Sequence, residues 1–253
     1  MGYHGFAMRR LLLALPLVLA IGAVAIAAGD GPTLYSAKGG SYVSVRPTGV
    51  GLPQMGISGT VGAGELVKAL RDYHDSGQYD KDLAAVDSTA RAYLDYRLSC
   101  WPKKSRLRPA IVLDIDETSL SNYTGLSATG FTQVGNVINP VTATGKAIQP
   151  TLALYQRARS KKVAVFFVTG RPPQIAGITA LNLTNEGYDK GWDGLFTKPS
   201  SAGTEDFKSS TRAAIEKQGY EIVSNVGDQE SDLDGGHADH GFKLPNPFYF
   251  ISD

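Results

Sequence analysis

The sequence has little of what several protein classes depend on. It holds one cysteine, Cys100, in 253 residues, which excludes an intramolecular disulfide framework and a cysteine-rich zinc module. Neither sign of charge dominates, because 25 Lys and Arg face 24 Asp and Glu, and no long basic run occurs. We therefore expect no nucleic-acid polymer as a partner. The lone cysteine is expected to be a small buried apolar side chain.

The composition is that of a folded globular protein. Hydrophobic residues make up 42% of the chain and charged residues 19%, with 12 Tyr and 9 Phe, which is too apolar and aromatic for a disordered chain. The length suffices for one substantial core with a small accessory element, and we find no internal repeat.

The first residues have the features of a secretory signal. Arg9 and Arg10 precede the uncharged stretch Leu11–Ala28, and Ala25-Ile26-Ala27 offers a small-residue cleavage site. This order predicts a signal peptide over residues 1–27 and a secreted protein with no stable membrane association after cleavage. The alternative is an uncleaved membrane anchor, because the apolar stretch approaches the length that spans a bilayer.

Two segments precede the predicted core. Residues 28–62 are rich in Gly, Ser, Thr and Pro, and we interpret them as an extended or flexible leader. Residues 63–105 form an N-terminal helical part of the main domain, 63–253. Leu70 and Tyr73 share one face there, and Asp80 is expected to cap the second helix.

Residues 106–253 alternate between apolar runs and helical patterns. The predicted strands are Ala110–Ile115, Val163–Thr169, Gly194–Thr197, Glu221–Val226 and a final edge strand, Phe248–Ile251. Helices are predicted between them at about 150–161, 173–186 and 206–218. This alternation predicts an α/β fold with a mainly parallel sheet and helices on both sides. Ligands of such sheets bind beyond the carboxyl ends of the strands.

The first strand of this region ends in two acidic residues, Asp114 and Asp116, within the sequence DIDET. Two carboxylates one residue apart repel each other and need a cation or a division of protonation states. A site for Mg²⁺ with hard oxygen ligands is one solution. An acidic turn that caps a following helix is the alternative.

Three further segments place polar residues on the same rim. Thr169–Arg171 ends the second strand with a hydroxyl, a flexible backbone and a guanidinium, which suit a phosphate oxyanion. Asp228 and Asp232 lie in the acidic sequence GDQESD after the fourth strand. Lys208 lies at the start of a predicted helix, where a cation opposes the helix dipole.

These segments, in their order DIDET, VTGR, the Lys208 segment and GDQESD, resemble the four motifs of haloacid dehalogenase (HAD) superfamily phosphohydrolases. The resemblance is closest to the secreted acid phosphatase branch, with its plant vegetative-storage-type and bacterial class B and C members. FKSSTR, GYEIVSNVGDQ and FKLPNPFY support it, and it covers about residues 65–253. It implies a Rossmann-like core with a small helical or loop cap, for which residues 122–150 are the candidate lid.

The resemblance also implies catalytic roles. Asp114 would be the nucleophile that forms an aspartyl-phosphate, and Asp116 would protonate the leaving alcohol and then activate water. Thr169, Gly170 and Lys208 would bind the transferring phosphoryl oxygens.

For the metal, the resemblance implies Mg²⁺ held by the carboxylates of Asp114 and Asp228 and by the backbone carbonyl of Asp116. Asp232 would lie behind these ligands or bind the metal directly.

Other polar residues near these motifs are weaker candidates. Lys198 rivals Lys208, but it follows a strand directly instead of starting a helix. Arg171 is a candidate for contact with substrate or phosphate. Four further residues are expected to be solvated acids or loop histidines: Glu230, Asp234, His237 and His240.

The sequence thus predicts a secreted, Mg²⁺-dependent acid phosphatase that acts on small phosphomonoesters. One alternative is an inactive storage or binding protein, since some plant relatives lack the nucleophile, although Asp114 and Asp116 are both present here. Another is a phosphotransferase that uses an alcohol in place of water. The lid lacks the tryptophans of class C enzymes, so their nucleotide preference is not carried over.

Overall fold

The computed structural model describes residues 32–37, 40–45, 63–189 and 191–251. The predicted signal peptide, residues 1–27, lies outside them. Within these ranges, no helix is both long and apolar enough to cross a bilayer.

Strands and helices alternate along most of the described chain. The strands are β1 (Pro32–Ala37), β2 (Gly40–Val45), β3 (Arg108–Leu113), β4 (Leu120–Ser121), β5 (Lys146–Ala147), β6 (Ala164–Thr169), β7 (Gly194–Thr197), β8 (Tyr220–Gly227) and β9 (His240–Lys243). The helices are α1 (Ala63–Asp75), α2 (Gln78–Ser99), α3 (Tyr123–Ala128), α4 (Gly135–Thr142), α5 (Gln149–Ser160), α6 (Ala176–Asn185), α7 (Thr204–Lys217) and α8 (Glu230–Leu233). A short 3₁₀ turn, Pro173–Ile175, precedes α6.

The main sheet has seven strands in the order β1-β2-β9-β8-β3-β6-β7. All neighbouring strands are parallel except β1 and β2, which are antiparallel. β3 lies between β8 and β6, so the carboxyl ends of these three strands meet at one edge. This arrangement confirms the predicted α/β class and places the acid-rich strand ends side by side.

Helices cover both faces of β3, which explains its continuous apolar sequence. Ile111 and Leu113 belong to a core cluster that includes side chains of α2 and α5. Ala110 and Val112 point into a second cluster that contains Ile215 of α7. Because alternate residues face opposite sides of a strand, both sets must be apolar.

The structure differs from the sequence-based expectation at the far side of the sheet. The last strand is β9, at His240–Lys243, and the predicted strand Phe248–Ile251 does not form. Pro245 and Pro247 interrupt the chain after β9 because proline has no N–H to donate to a ladder. The segment predicted as a leader contains β1 and β2, and β2 pairs with the edge that β9 would otherwise expose.

Two local expectations are wrong. Asp80 does not cap α2, which begins at Gln78 after Gly77, a residue with φ of 75° and no side chain to cap with. The helix therefore starts earlier than the acidic residue suggested. Cys100 is exposed, because it follows the last turn of α2 outside the core.

Residues 122–150 form α3, α4 and β5, and β5 pairs with β4 as a separate two-stranded sheet. Helix α1 packs against this lid. His74 stacks on Tyr123 with ring centroids 3.3 Å apart, and Nη2 of Arg71 donates to the carbonyl of Ser127 at 2.7 Å. The N-terminal helical part thus supports the lid beside the carboxyl edge of the main sheet.

Candidate active site

The site is built on the ends of β3 and β8. The backbone N–H of Asp114 donates to the carbonyl of Val226 at 3.0 Å, which extends the ladder one residue beyond β3. Ser119 closes the turn that follows, since its hydroxyl donates to the carbonyl of Asp114 at 2.6 Å. These bonds fix the backbone of Asp114 at the sheet edge, directly beside the segment that carries Asp228.

A buried lysine links two of the aspartates. Nζ of Lys208 lies 2.7 Å from Oδ1 of Asp114 and also contacts Oδ1 of Asp232. Burial alone would lower the pKa of Lys208, but the two carboxylates raise it above its ordinary value. The lysine is therefore charged, and it holds the side chains of Asp114 and Asp232 together.

Three buried carboxylates converge around this lysine. Asp114, Asp228 and Asp232 each offer an oxygen, and these oxygens lie within 4.8 Å of one another. Burial and the charge of Asp232 raise the pKa of Asp114 well above its usual range and that of Asp228 to about 6. One lysine cannot balance three carboxylates, so the cluster has surplus negative charge. Hard oxygen donors with surplus charge fit a divalent cation.

Asp228 is oriented by neutral donors. Thr118 Oγ1 donates to Oδ1 at 3.1 Å, while Gln229 Nε2 and Asn246 Nδ2 donate to Oδ2 at 2.5 and 2.8 Å. Nζ of Lys243 donates to the backbone carbonyl of Asp228 at 2.5 Å. This network fixes the carboxylate without pairing its side chain to a cation.

Asp116 lies on the rim of the cluster and is paired with Arg171. Nη2 of Arg171 lies 2.7 Å from Oδ1, Nε donates to both oxygens at 3.1–3.2 Å, and Asn122 Nδ2 adds a bond of 2.6 Å. Burial would raise the pKa of Asp116, but Arg171 lowers it below its ordinary value. The side chain is 26% exposed, so it can reach a molecule in the cleft.

The cleft above the cluster has a volume of about 330 Å³. Five of the predicted site residues line it: Asp114, Asp116, Gly170, Lys208 and Asp228. Thr169 is fully buried, and its Oγ1 accepts a hydrogen bond from the backbone N–H of Arg171 at 3.2 Å. The hydroxyl therefore shapes the turn beneath the cleft, whereas the backbone of Gly170 lies on its surface.

Three of the weaker candidates named from the sequence contact residues outside the acidic cluster. Nζ of Lys198 donates to the carbonyl of Ala202 at 2.9 Å, so Lys208, and not Lys198, is the lysine that contacts Asp114. His237 lies 2.7 Å from Glu216. His240 begins β9 and is not a loop residue as expected. Neither histidine joins a metal-type cluster among the residues that the structure describes.

Sequence reasoning missed a buried acid next to Asp116. Glu117 is 0% exposed and has a φ of 52°, a backbone conformation that few non-glycine residues adopt. The Tyr249 hydroxyl donates to it at 2.9 Å, and the backbone N–H of Asn122 donates at 2.5 Å. Burial and Asp116 raise the pKa of Glu117 to about 8. The available signals were the third acid of DIDET and the tyrosine of FKLPNPFY.

Arg212 was missed as well. It is buried one helical turn after Lys208, where Nη1 donates to the carbonyl of Asp232 at 2.6 Å and Nε to that of Gly236 at 2.8 Å. Nη2 also contacts the carbonyl of Asp234. The arginine therefore ties α7 to the loop that carries Asp232. The only sign of this arginine's importance in the sequence was its position in FKSSTR, four residues after Lys208 and therefore on the same face of the helix.

A parallel sheet with this acid and lysine cluster at its carboxyl edge defines a HAD-type phosphatase. Residues 57–252 match the family described as HAD superfamily, subfamily IIIB (Acid phosphatase), and the chain belongs to that family.

Plant proteins are among the similar sequences. The chain is 33% identical to "Stem 28 kDa glycoprotein" of Glycine max over 200 residues, which covers 74% of this chain and 75% of the relative. It is 34% identical to "Acid phosphatase 1" of Solanum lycopersicum over 155 residues, 57% of this chain and 60% of that protein. It is also 34% identical to "Vegetative storage protein 1" of Arabidopsis thaliana over 103 residues, 40% of this chain and 38% of that protein.

Among solved structures, the class C acid phosphatase from Bacillus anthracis is similar, with a TM-score of 0.60. The two are 21% identical, and the match covers 74% of this chain and 86% of the bacterial chain. At this identity the likeness confirms the fold and carries no substrate information.

Proposed function

We propose that the protein is a secreted, Mg²⁺-dependent acid phosphatase that hydrolyses small phosphomonoesters through an aspartyl-phosphate on Asp114. The observation that carries the proposal is the salt bridge of 2.7 Å between Lys208 and Asp114 at the base of a cleft whose rim carries Asp116. Side chains suited to act as the nucleophile, its charge partner and the acid thus line one cleft.

The first step transfers the phosphoryl group to the protein. A carboxylate oxygen of Asp114 forms a bond to phosphorus while the bond to the leaving oxygen breaks, and Asp116 donates its proton to that oxygen. Lys208 and the backbone of Gly170 stabilise the phosphoryl oxygens. Arg171 lowers the pKa of Asp116, so Asp116 carries the proton that it donates only under acidic conditions.

The second step releases phosphate. Asp116, now a carboxylate, accepts a proton from a water molecule as that water attacks phosphorus, and the bond to Asp114 breaks. Arg171 and Asn122 contact the Asp116 carboxylate and orient it for this step.

Magnesium fits the surplus negative charge of the cluster. The carboxylates of Asp114 and Asp228 and the backbone carbonyl of Asp116 would hold it, with Asp232 behind them or as a further ligand. When bound, the metal would reduce the repulsion between the anionic nucleophile and the anionic phosphate.

Two variants test the roles of the carboxylates. Asp114→Asn should abolish both the phosphoenzyme and turnover, because the amide has no anionic oxygen for attack. Asp116→Asn should slow turnover by about 10²- to 10⁴-fold. That loss should be smaller for 4-nitrophenyl phosphate, whose leaving group needs no proton, than for alkyl phosphates. Equal losses with chemistry rate-limiting would show that Asp116 is not the acid.

A matched control is Asp95→Asn on α2. Asp95 pairs with Arg157 at 2.9 Å, away from the cleft, so this variant removes an ion pair without touching the site. Its turnover should stay near that of the wild type.

A storage or binding role is the second candidate, because two relatives are named vegetative storage proteins. Wild-type protein that hydrolyses no phosphomonoester in Mg²⁺ would favour it. Transfer to glycerol in place of release of free phosphate would instead show a phosphotransferase.

Secretion rests on the signal-like residues 1–27 and on relatives named as glycoproteins. N-terminal sequencing of protein from the culture medium should find the chain beginning near Ala28 or Gly29. An intact start over residues 1–20 would indicate the uncleaved anchor instead.

A further inference from the structure

The cleft is larger than a phosphoryl group needs, so its outer part is available for the leaving group. Two elements build the outer walls from three apolar side chains: Val137 and Pro140 of α4, and Ile175 of the 3₁₀ turn. The acidic cluster occupies the inner end. A substrate that fills the cleft therefore presents an apolar body beyond its phosphate.

Three cations line the cleft, and two of them are already balanced. Lys208 pairs with Asp114 and Asp232, and Arg171 pairs with Asp116. Lys198 is different, because Nζ donates to the neutral carbonyl of Ala202 at 2.9 Å. Across residues 63–189 and 191–251, no carboxylate forms an ion pair with it.

The position of Lys198 relative to the nucleophile follows from the sheet. It comes directly after β7, two strands from β3, and its backbone N–H donates to the carbonyl of Arg171 at 2.9 Å. Lys198 and Asp114 thus line the same cleft from different strands. When the phosphoryl group of a substrate is bound at Asp114, the amine of Lys198 remains available to another part of that substrate.

We infer that Lys198 binds an anionic group on the leaving alcohol. The inference rests on the proposed function and names its substrate class: phosphomonoesters whose alcohol has a short apolar body and a carboxylate or a second phosphate. Lys198 is partly buried, so the pair that it forms with such a group is less screened by solvent than a surface ion pair.

The test compares phenyl phosphate with its 3- and 4-carboxy derivatives and with the corresponding bisphosphates. We expect Lys198→Met to lower kcat/KM for the anionic substrates by about 10-fold or more and to change that for phenyl phosphate less than about twofold. Lys198→Arg should restore most of the loss. Each substrate is compared by the ratio of its kcat/KM in wild type to that in the variant, because the effect of the substituent on the leaving group cancels in this ratio.

Lys217→Met is the matched control. It removes the same charge at the far end of α7, about 20 Å along the helix from Thr204 on the cleft. It should leave both substrate classes unchanged. A merely structural role for Lys198 would instead lower kcat/KM for charged and uncharged substrates alike, and that result would overturn the inference.

Binding of non-hydrolysable phosphonates separates this inference from the proposed function. Calorimetry should show that carboxyphenylphosphonate binds wild type at least several-fold more tightly than phenylphosphonate, with the difference lost in Lys198→Met. Turnover of phosphomonoesters without this difference in affinity would refute the role of Lys198 and support the phosphatase activity. The difference in affinity without turnover would support the role of Lys198 and refute the phosphatase activity. Absence of both the difference and turnover would refute both proposals.

Discussion

Asp87 is a buried acid that the catalytic site does not use, and it should make the stability of the protein depend on pH. It lies on α2 and is 2% exposed. Thr151 Oγ1 donates to Oδ2 at 3.0 Å, whereas Oδ1 has no hydrogen-bond partner. Burial raises the pKa of Asp87 from 3.8 to about 7, against smaller opposing effects of Thr151 and Arg91.

The sign follows from proton binding. Between about pH 4 and pH 7 the folded protein holds a proton on Asp87 that the unfolded chain releases, so the free energy of unfolding falls as pH rises. Below about pH 4 Asp87 has no effect on the pH dependence, and above about pH 7 the free energy of unfolding has fallen by the full contribution of Asp87. The difference between the two pKa values corresponds to a loss of about 4 kcal/mol at most.

Asp87→Asn should remove this dependence. The new side chain keeps an acceptor for Thr151 but leaves amide hydrogens unpaired where Oδ1 lies, which costs about 1–3 kcal/mol. We therefore expect the variant to be less stable than wild type at pH 4 and more stable at pH 8.

Urea denaturation of both proteins from pH 4 to pH 8 measures the pH at which their free energies of unfolding become equal. Groups that titrate alike in both proteins cancel when one free energy is subtracted from the other. Asp82→Asn on the same helix is the control. Both oxygens of Asp82 accept hydrogen bonds, from Tyr73 at 2.6 Å and Gln78 at 2.8 Å, so this variant should be destabilised at both ends of the range. Parallel pH profiles for wild type and Asp87→Asn would refute the reasoning.

Three shorter predictions concern the site. EDTA should abolish activity and Mg²⁺ restore it, and Asp228→Asn should weaken metal binding by about 10-fold or more, measured by metal titration; full activity in metal-free buffer would contradict the cluster's role. Gly227→Ala should lower kcat, because a Cβ there would overlap the side chain of Asp232, whereas Gly177→Ala meets open space and should behave as wild type in the same assay. Lys208→Met should abolish turnover, since Asp114 loses its charge partner, and substantial phosphoenzyme formation by that variant would count against the assignment.

The strand ends were predictable because their signals are local. The buried run before Asp114 and the run before Asp228 each end in acids, and parallel pairing of β3 with β8 brings these ends together. The helix that carries Lys208 was also visible in the sequence, although its exact contact with Asp114 needed the fold. The structure therefore gathers the predicted acids and the predicted lysine at one edge.

Contacts that depend on loop conformation were not predictable. The direction of the Arg171 side chain depends on the turn after β6, so its pairing with Asp116 had no sequence signal. Tyr249 reaches Glu117 from the segment that we predicted as a strand, and Asn246 reaches Asp228 from the residues just before that segment. β9 was missed because four residues that include Gly241 show no recognisable alternation.

The three carbonyl contacts of Arg212 have a mechanical consequence. They clamp helix α7 to residues 232–236, so Lys208 and Asp232 belong to one stiff unit even though they lie on different elements. The unit is also tied to the sheet, since Asn225 Nδ2 on β8 donates to the carbonyl of Asp232 at 2.7 Å and Lys208 pairs with Asp114. Arg212 does not line the cleft, so its influence on the reaction is exerted through the positions that it gives Lys208 and Asp232.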